Sequence, residues 1–235
     1  MGKEVEKSAL EKGHKVVLKI DEHNLADFNA SNFSSNRVDA AIEFSTPHAA
    51  PGNILKCFDI GVPIVSGSTG WMDKFEEISR ICIEKGQTLF YASNFSIGVN
   101  LFFRLNEYLA EMMNNYTDYV PSLEEIHHIR KKDAPSGTAI TLANGLLKMQ
   151  KRYSGWTLPP KPQAGDGKIV ITSKREGEVP GTHIVKYSSA IDEIAITHTA
   201  HSRKGFADGA VTAAAWVLGK KGVFGMGDML NNESR

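Results

Sequence analysis

The sequence is short of the features that mark several classes of protein. Its 235 residues include only two cysteines, Cys57 and Cys82, and the formal net charge at pH 7 is zero. No apolar run approaches the roughly 20 residues of a membrane span, and the N-terminus has no signal-peptide apolar core. We therefore expect no membrane span, and the balanced charge gives no reason to expect a nucleic-acid partner. Both cysteines lie in apolar helical patterns, which favours buried free thiols and a cytoplasmic protein.

The remaining composition is that of a globular chain. Hydrophobic residues make up 41% of the sequence and charged residues 23%, which is ordinary for soluble domains. The length allows one or two domains with a sizeable core. The sequence has no metal-ligand spacing and no internal repeat, so we expect no metal centre.

The first 92 residues alternate between strand and helix patterns. Residues 24–37 are rich in Asn and Ser and are predicted to form a loop. Strands are predicted over residues 14–20, 38–44, 62–66 and 88–92, and helices over 3–12, 45–61 and 73–85. Strands that alternate with helices favour a parallel sheet with helices on both faces.

After Ala92 the pattern changes. Helices are predicted over residues 99–115, from near Thr138 to 151, and over 206–219, where small residues would pack closely on the first sheet. A strand is predicted to end at His127, and period-two strands are predicted over residues 169–173, 182–187 and 193–198, after a loop over 153–167. These strands favour a mixed or antiparallel sheet with helices on one face and the other face free for other subunits. Residues 222–230 have too little pattern for an assignment.

The strongest chemical signal lies in residues 124–139, EEIHHIRKKDAPSGTA. His127 and His128 end the predicted strand, and imidazoles titrate near neutral pH and can donate a proton. Ser136 is a good N-cap for the helix that follows. The free N–H groups of that helix start attract anions, and a lysine nearby, Lys131, favours a carboxylate or phosphate there.

Residues 125–139 resemble the signature of the dihydrodipicolinate reductases of the bacterial and plant lysine pathway. Weaker matches follow in the family's order at EFSTP (43–47), GSTG (67–70), NFSIGVN (94–100), Thr197-His198 and Ser202-Arg203. The resemblance implies an α/β protein with a Rossmann-like parallel-sheet dinucleotide-binding domain, residues 1–93 and 205–235. Residues 94–204 would form an α+β domain with a mixed sheet that binds substrate and builds a homotetramer.

The resemblance also implies a reaction. A nicotinamide cofactor, NADH or NADPH, would reduce 4-hydroxy-tetrahydrodipicolinate, a cyclic imine dicarboxylate, to tetrahydrodipicolinate. His127 and Lys131 are the expected catalytic residues, and which of them delivers the proton stays open. The substrate carboxylates are expected at His128, Lys131, Ser136, Gly137 and Thr138.

The cofactor is expected at the carboxyl ends of the first sheet. Gly2 would approach the pyrophosphate and Asp21 would bind the adenosine ribose. The next residue is Glu22, and two carboxylates repel a 2′-phosphate, so we expect NADH to be preferred over NADPH. The resemblance adds further cofactor contacts at Thr46, Gly67, Ser68, Thr69, Asn94, Phe95 and Arg203.

The dinucleotide motif Gly-x-Gly-x-x-Gly is represented only by its last glycine, Gly2. A central strand of a parallel sheet is hard to lose, because its neighbours would keep unpaired backbone groups. We therefore expect a misassigned start codon. The alternative is a catalytically impaired, oligomeric substrate-binding scaffold. A third hypothesis, a sugar or amino-acid dehydrogenase, fits the first half alone, and residues 125–139 argue against it.

Overall fold

The computed structural model describes residues 1–159 and 167–232. The chain divides into two compact units, one formed by Met1–Ile97 with the residues from Lys204 onward, the other by Gly98–Arg203. The domain boundaries expected from the sequence, after residues 93 and 204, stay a prediction. In the described ranges, no helix is both long enough and apolar enough to cross a membrane.

Helices and strands both occur in each unit, and they are numbered in chain order. The helices are α1 (Gly2–Glu11), α2 (Ala30–Ser35), α3 (Ala50–Ile60), α4 (Phe75–Glu84), α5 (Ile97–Met112), α6 (Gly137–Met149), α7 (Lys204–Trp216) and α8 (Met226–Asn232). The strands are β1 (Ala41–Glu43), β2 (Ile64–Ser66), β3 (Thr88–Tyr91), β4 (Val120–His127), β5 (Gly155–Thr157), β6 (Lys168–Arg175), β7 (Gly181–Ser188), β8 (Glu193–Ala200) and β9 (Gly222–Phe224). Single 3₁₀ turns lie at Leu25–Asp27, Met72–Lys74 and Met113–Asn115.

The first unit is built on a parallel sheet of order β1-β2-β3-β9. Successive side chains of a strand point to opposite faces, and the core follows that alternation. Ile64 and Leu89 pack with residues of α3 and α4 on one face, while Val65 and Phe90 pack with residues of α7 and α8 on the other. The predicted parallel sheet, with helices on both faces and the 206–219 helix packed on it, is confirmed.

Two predictions near the start of the chain are wrong. Residues 14–20 do not form a strand, because no segment in the described part of the chain pairs with their backbone, and an extended segment without a ladder is not a strand. Residues 24–37 are not all loop, because they contain α2. The Asn29 side chain caps α2 by accepting from the Asn32 N–H at 2.9 Å, and buried Phe33 anchors it.

Two further local predictions are corrected in this unit. The helix predicted from Ser45 begins only at Ala50. The Thr46 hydroxyl instead accepts from the Ala49 N–H at 3.2 Å, so the Ser-Thr-Pro segment forms a turn ahead of the helix. Residues 222–224, which had too little pattern for an assignment, form β9 because they pair in parallel with β3.

The second unit contains a mixed sheet of order β5-β6-β4-β7-β8. Strand β4 is parallel to β6 and antiparallel to β7. Helices α5 and α6 share a core with one face of the sheet, in which Leu123, Leu142 and Val185 are buried. The predicted mixed sheet with helices on one face is confirmed. The loop predicted over 153–167 is wrong where β5 forms, and residues 160–166 lie outside the described ranges.

Candidate active site

His127 is the last residue of β4 and lies on the buried face of that strand. Only 7% of the residue is exposed. The neighbouring β7 makes room for the imidazole at Gly181, where a Cβ atom would lie 3.0 Å from His127 Nε2. His183, two residues further along β7, packs its ring against His127 with the ring centroids 5.1 Å apart. The expected proton donor is therefore held in a protein-lined pocket of the second unit.

A fully buried carboxylate, Glu125, lies beside these two histidines. Its Oε2 atom is 3.4 Å from Nδ1 of His127 and 3.8 Å from Nε2 of His183. Both carboxylate oxygens accept from the Ser136 backbone N–H at 3.1 Å, and the Arg175 guanidinium donates to Oε1 at 3.3 Å. A buried charge needs such partners, because removal from water is costly.

The surroundings shift the pKa values of all three groups. Burial raises the pKa of the Glu125 carboxyl, but interactions with Ser136, Ser173 and His127 together outweigh burial and leave that pKa below its ordinary value. Burial lowers the pKa of His127, and the charge of Glu125 opposes the shift. Burial is also the main reason that the pKa of His183 is lowered to about 4. At neutral pH, Glu125 is charged and His183 is a neutral hydrogen-bonding group.

Glu125, His127 and His183 also each place one possible metal-ligand atom within 4.8 Å of the others. The carboxylate already accepts from Ser136, and the Arg175 guanidinium next to it is positively charged. A fixed positive charge repels a cation at this distance. We interpret the cluster as a polar network, and the absence of a metal centre stays a prediction from the sequence.

Ser136 caps α6, as predicted. Its Oγ atom accepts from the Ala139 N–H at 3.2 Å and lies 3.2 Å from Nε2 of His183. Ser136 is only 3% exposed, whereas Gly137, the first residue of the helix, is exposed. Backbone N–H groups at a helix start attract anions. Ser136 therefore holds the start of α6 from its buried side. The residues that follow Ser136 carry the N–H groups that can bind an anion.

Lys131 lies in the turn between β4 and α6, three residues after half-buried His128. Its Nζ atom contacts both carboxylate oxygens of Asp133 at 2.8 Å. That hydrogen bond holds the pKa of Asp133 below its ordinary value. Arg175 stabilises the turn by donating hydrogen bonds to the backbone carbonyls of Lys131 at 3.3 Å and Asp133 at 2.6 Å. An anionic ligand of Lys131 would compete with Asp133.

In the first unit, the loops after β1 and β2 are joined by Glu43. This residue is 8% exposed. Its carboxylate accepts from the Ser45 N–H at 2.6 Å, from the Ser66 and Ser68 hydroxyls at 2.7 Å each, and from the Ser45 hydroxyl. In parallel α/β sheets, ligands bind outside the carboxyl ends of the strands. Glu43 thus organises the edge of the sheet where a dinucleotide is expected.

The residues expected to bind the cofactor differ in exposure. Gly2, Asp21, Thr46, Thr69 and Arg203 are exposed, Gly67 and Asn94 less so, and Ser68 and Phe95 are buried. Gly67 has no room for a side chain, because a Cβ atom there would lie 2.1 Å from the Phe44 ring. The Asp21 carboxylate accepts from the His23 N–H at 2.8 Å.

Phe95 is part of the core of the first unit. Its ring lies 5.8 Å from the rings of Phe44 and Phe90, centroid to centroid. Helix α7 lies against its main chain at Gly209. The preceding residue, Asn94, uses its Oδ1 atom to accept from the Ser96 N–H at 2.9 Å. Phe95 can therefore meet a ligand only through its backbone.

Comparison with known proteins decides the family. The dihydrodipicolinate reductase C-terminus model matches residues 98–230, and the N-terminus model of the same family matches residues 1–95. The chain belongs to the dihydrodipicolinate reductase family. It is 47% identical to a 4-hydroxy-tetrahydrodipicolinate reductase of Christiangramia forsetii, over 99% of this chain and 94% of the relative. A Buchnera aphidicola protein of the same name is 34% identical, over 86% of this chain and 76% of the relative.

A solved structure agrees with the fold. The dipicolinate-bound dihydrodipicolinate reductase from Paenisporosarcina sp. TG-14 superposes with a TM-score of 0.75 at 20% identity, over 95% of this chain and 92% of that chain. The expected family and the α/β fold class are confirmed. The curated relatives support an active reductase and lend no support to the impaired-scaffold alternative.

Sequence reasoning assigned no role to four residues of these sites: Glu43, Glu125, Arg175 and His183. Glu43 and Glu125 lie inside segments that resemble the family, but the resemblance carried no role for them. A signal for His183 was present, because a period of two along β7 puts it on the same face as Tyr187, which is buried. A histidine among core residues needs polar partners, and that would have directed attention to Glu125 and Ser136.

Proposed function

We propose that this chain is an NAD(P)H-dependent oxidoreductase that reduces 4-hydroxy-tetrahydrodipicolinate to tetrahydrodipicolinate in the diaminopimelate route to lysine. Membership of the family and the names of the curated relatives support the reaction. The observation that carries the proposal is the grouping of His127, Lys131 and the start of α6 within one compact unit. That grouping combines a titratable imidazole, a cation and an anion-binding helix end, as the reduction of a dicarboxylate requires.

A dicarboxylate substrate needs two anion-binding elements. The start of α6 supplies one, through the N–H groups of Gly137 and Thr138. Lys131 supplies the other and exchanges its contact with Asp133 for a substrate carboxylate, with His128 beside it. Ser136 contributes by capping the helix and fixing its direction.

Protonation is the step in which His127 acts. A nicotinamide cofactor held by the first unit would supply a hydride, and the substrate ring would then carry negative charge and need a proton. His127 delivers that proton, and its lowered pKa makes the imidazolium a stronger acid than a histidine in water. Lys131 stabilises the negative charge that develops on the substrate. Before this step the 4-hydroxyl group leaves as water together with a proton from the neighbouring ring carbon, so the ring then gains one hydride and one proton and the overall reduction balances.

We assign cofactor binding to residues of the first unit and to Arg203. Asp21 is exposed and accepts hydrogen bonds from the adenosine ribose, and Gly2 approaches the pyrophosphate from the start of α1. Ser68 and Phe95 are buried and contribute through their backbones. The other contacts are Thr46, Gly67, Thr69 and Asn94. Glu22 follows Asp21, and two carboxylates repel a 2′-phosphate, so NADH is preferred.

The test is oxidation of NADH and of NADPH, followed by absorbance, with enzymatically generated substrate. Turnover with a higher kcat/KM for NADH is expected. Glu22→Arg should raise kcat/KM for NADPH, whereas Glu84→Arg on α4 makes the same charge change elsewhere and should not. His127→Gln should lose most turnover and still bind dipicolinate, the ligand named for the structural neighbour. A folded protein that turns over neither cofactor would contradict the proposal.

We also propose a cytoplasmic homotetramer. The sheet face opposite α5 and α6 carries half-exposed apolar residues, Ile126, Val170 and Ile184, which support an interface between subunits. Both cysteines are free and buried, which suits a reducing compartment. Light scattering should give about four times the chain mass of 25.7 kDa, and a monomer at micromolar concentration would count against the assembly.

A further inference from the structure

Glu125 is connected, directly or through Arg175, to the proton donor, to the start of α6 and to the turn that contains Lys131. Its carboxylate approaches the His127 imidazole at 3.4 Å. It accepts from the Ser136 N–H, the residue that caps α6. It also pairs with Arg175, whose guanidinium holds the carbonyls of Lys131 and Asp133. One side chain is thus connected to the proton donor, the anion-binding helix and the turn that carries the substrate cation.

This arrangement is not explained by packing alone. Glu125 is completely buried on the core face of β4, in line with Leu123. An apolar residue at such a position would avoid the cost of burying a charge. Glu124, the preceding residue, points to the opposite face and forms an ordinary ion pair with Lys174 at 2.9 Å. Of these two neighbouring residues, Glu124 therefore forms a structural ion pair, whereas Glu125 directs its carboxylate into the site.

We propose that Glu125 is a positioning residue for the reduction, which sets the imidazole of His127, the start of α6 and the turn of Lys131 relative to one another. The inference rests on the proposed function for its kinetic consequences only. The electrostatic effect of Glu125 on His127 is a property of the folded chain and can be measured without turnover.

The sign of that effect distinguishes positioning from general support of the fold. The charged and titratable groups around His127 are Glu125 on β4, Lys131 and Asp133 in the turn, Arg175 on β6 and His183 on β7. The charge of Glu125 raises the pKa of His127, while burial lowers it. Neutralising Glu125 in an intact pocket should lower the pKa further. Loosening the pocket would instead raise it towards the value in water, because water would return to the ring.

The experiment is an NMR titration of the histidine ring protons in the full chain, with the His127 signal assigned through His127→Gln. Glu125→Gln should lower the pKa of His127, while the matched control Glu124→Gln should leave it unchanged. An unchanged or raised pKa in folded Glu125→Gln would overturn the proposal. Because the titration needs no substrate, this result stands even if the reductase activity is absent.

Kinetics supply the second measurement. Glu125→Gln should lower kcat by about tenfold to a hundredfold, the range for a misplaced catalytic group, with the affinity for NADH unchanged. If Glu125→Gln does not fold, Arg175→Lys is the alternative variant. It keeps the positive charge and loses the hydrogen bonds from the guanidinium to the two backbone carbonyls of the turn. It should raise the KM for the cyclic substrate by about tenfold without affecting NADH binding. An unchanged KM in Arg175→Lys would overturn the proposal.

Discussion

Helix α7 lies against the main chain of the first unit at one glycine, Gly209. A Cβ atom at this position would lie 1.8 Å from the carbonyl oxygen of Phe95 and 2.8 Å from its carbonyl carbon. Both are backbone atoms, so no side-chain rotation can relieve the overlap. We expect Gly209→Ala to destabilise the first unit by forcing α7 away from residues 94–95, where the cofactor is expected.

The magnitude follows from two opposing effects. In a helix interior, alanine is favoured over glycine by about 1 kcal/mol. Overpacking a core typically costs about 1–3 kcal/mol, and occasionally more, and so short an approach to backbone belongs at or above the top of that range. The net loss should be about 2 kcal/mol. For a chain of this size it corresponds to a fall in Tm of about 4–8 °C.

A matched glycine gives the control. Gly52 lies in α3, where a Cβ atom would meet nothing within 4 Å, so Gly52→Ala should stabilise the protein by up to about 1 kcal/mol. Thermal unfolding of both variants, followed by circular dichroism and by tryptophan fluorescence, to which Trp216 on α7 contributes, measures the difference. If Gly209→Ala melts at or above the temperature of Gly52→Ala, the close contact between α7 and Phe95 does not constrain the first unit.

Three more changes test other parts of the site. Glu43→Gln should weaken NADH binding about tenfold, since the serine groups around it lose a charged acceptor, with little effect on the KM of the cyclic substrate. Glu43→Asp should have an intermediate NADH affinity. Equal NADH affinities of Glu43→Gln and the unchanged protein, measured by NADH fluorescence, would contradict this. Gly181→Ala should lower kcat by about tenfold or more, because its Cβ would lie 3.0 Å from His127 Nε2. Steady-state kinetics measure kcat, and an unchanged value would count against a closely packed pocket around His127. Stability to urea should decrease as pH falls from about 6.5 to 4: the pKa of His183 is about 4 in the folded chain, so the unfolded chain binds more protons in this window. The loss should be about 3 kcal/mol, and a His183→Gln variant with the same pH profile would contradict it.

Features that depend on neighbouring residues were predictable from the sequence. The cap of α6 requires only that the Ser136 hydroxyl reach the N–H of Ala139, three residues on. The period of two predicted β6, β7 and β8 of the second unit, though not β5, and the alternation of apolar segments with helices predicted the parallel sheet of the first unit. The cap and the side-chain alternation are set by steric and hydrogen-bonding preferences within a few residues.

The tertiary structure decided which distant groups meet. Residues 14–20 have the composition of a strand and are not one, while residues 222–224 have little pattern and are one, because a strand needs a pairing partner. Glu125 reaches Ser136 across 11 residues and Arg175 across 50. The contact with Arg175 exists because β4 pairs in parallel with β6, and His183 lies next to Glu125 because β4 pairs antiparallel with β7. Strand pairing depends on packing throughout the core. Local sequence patterns therefore identify residues of the site but do not show which of them are in contact.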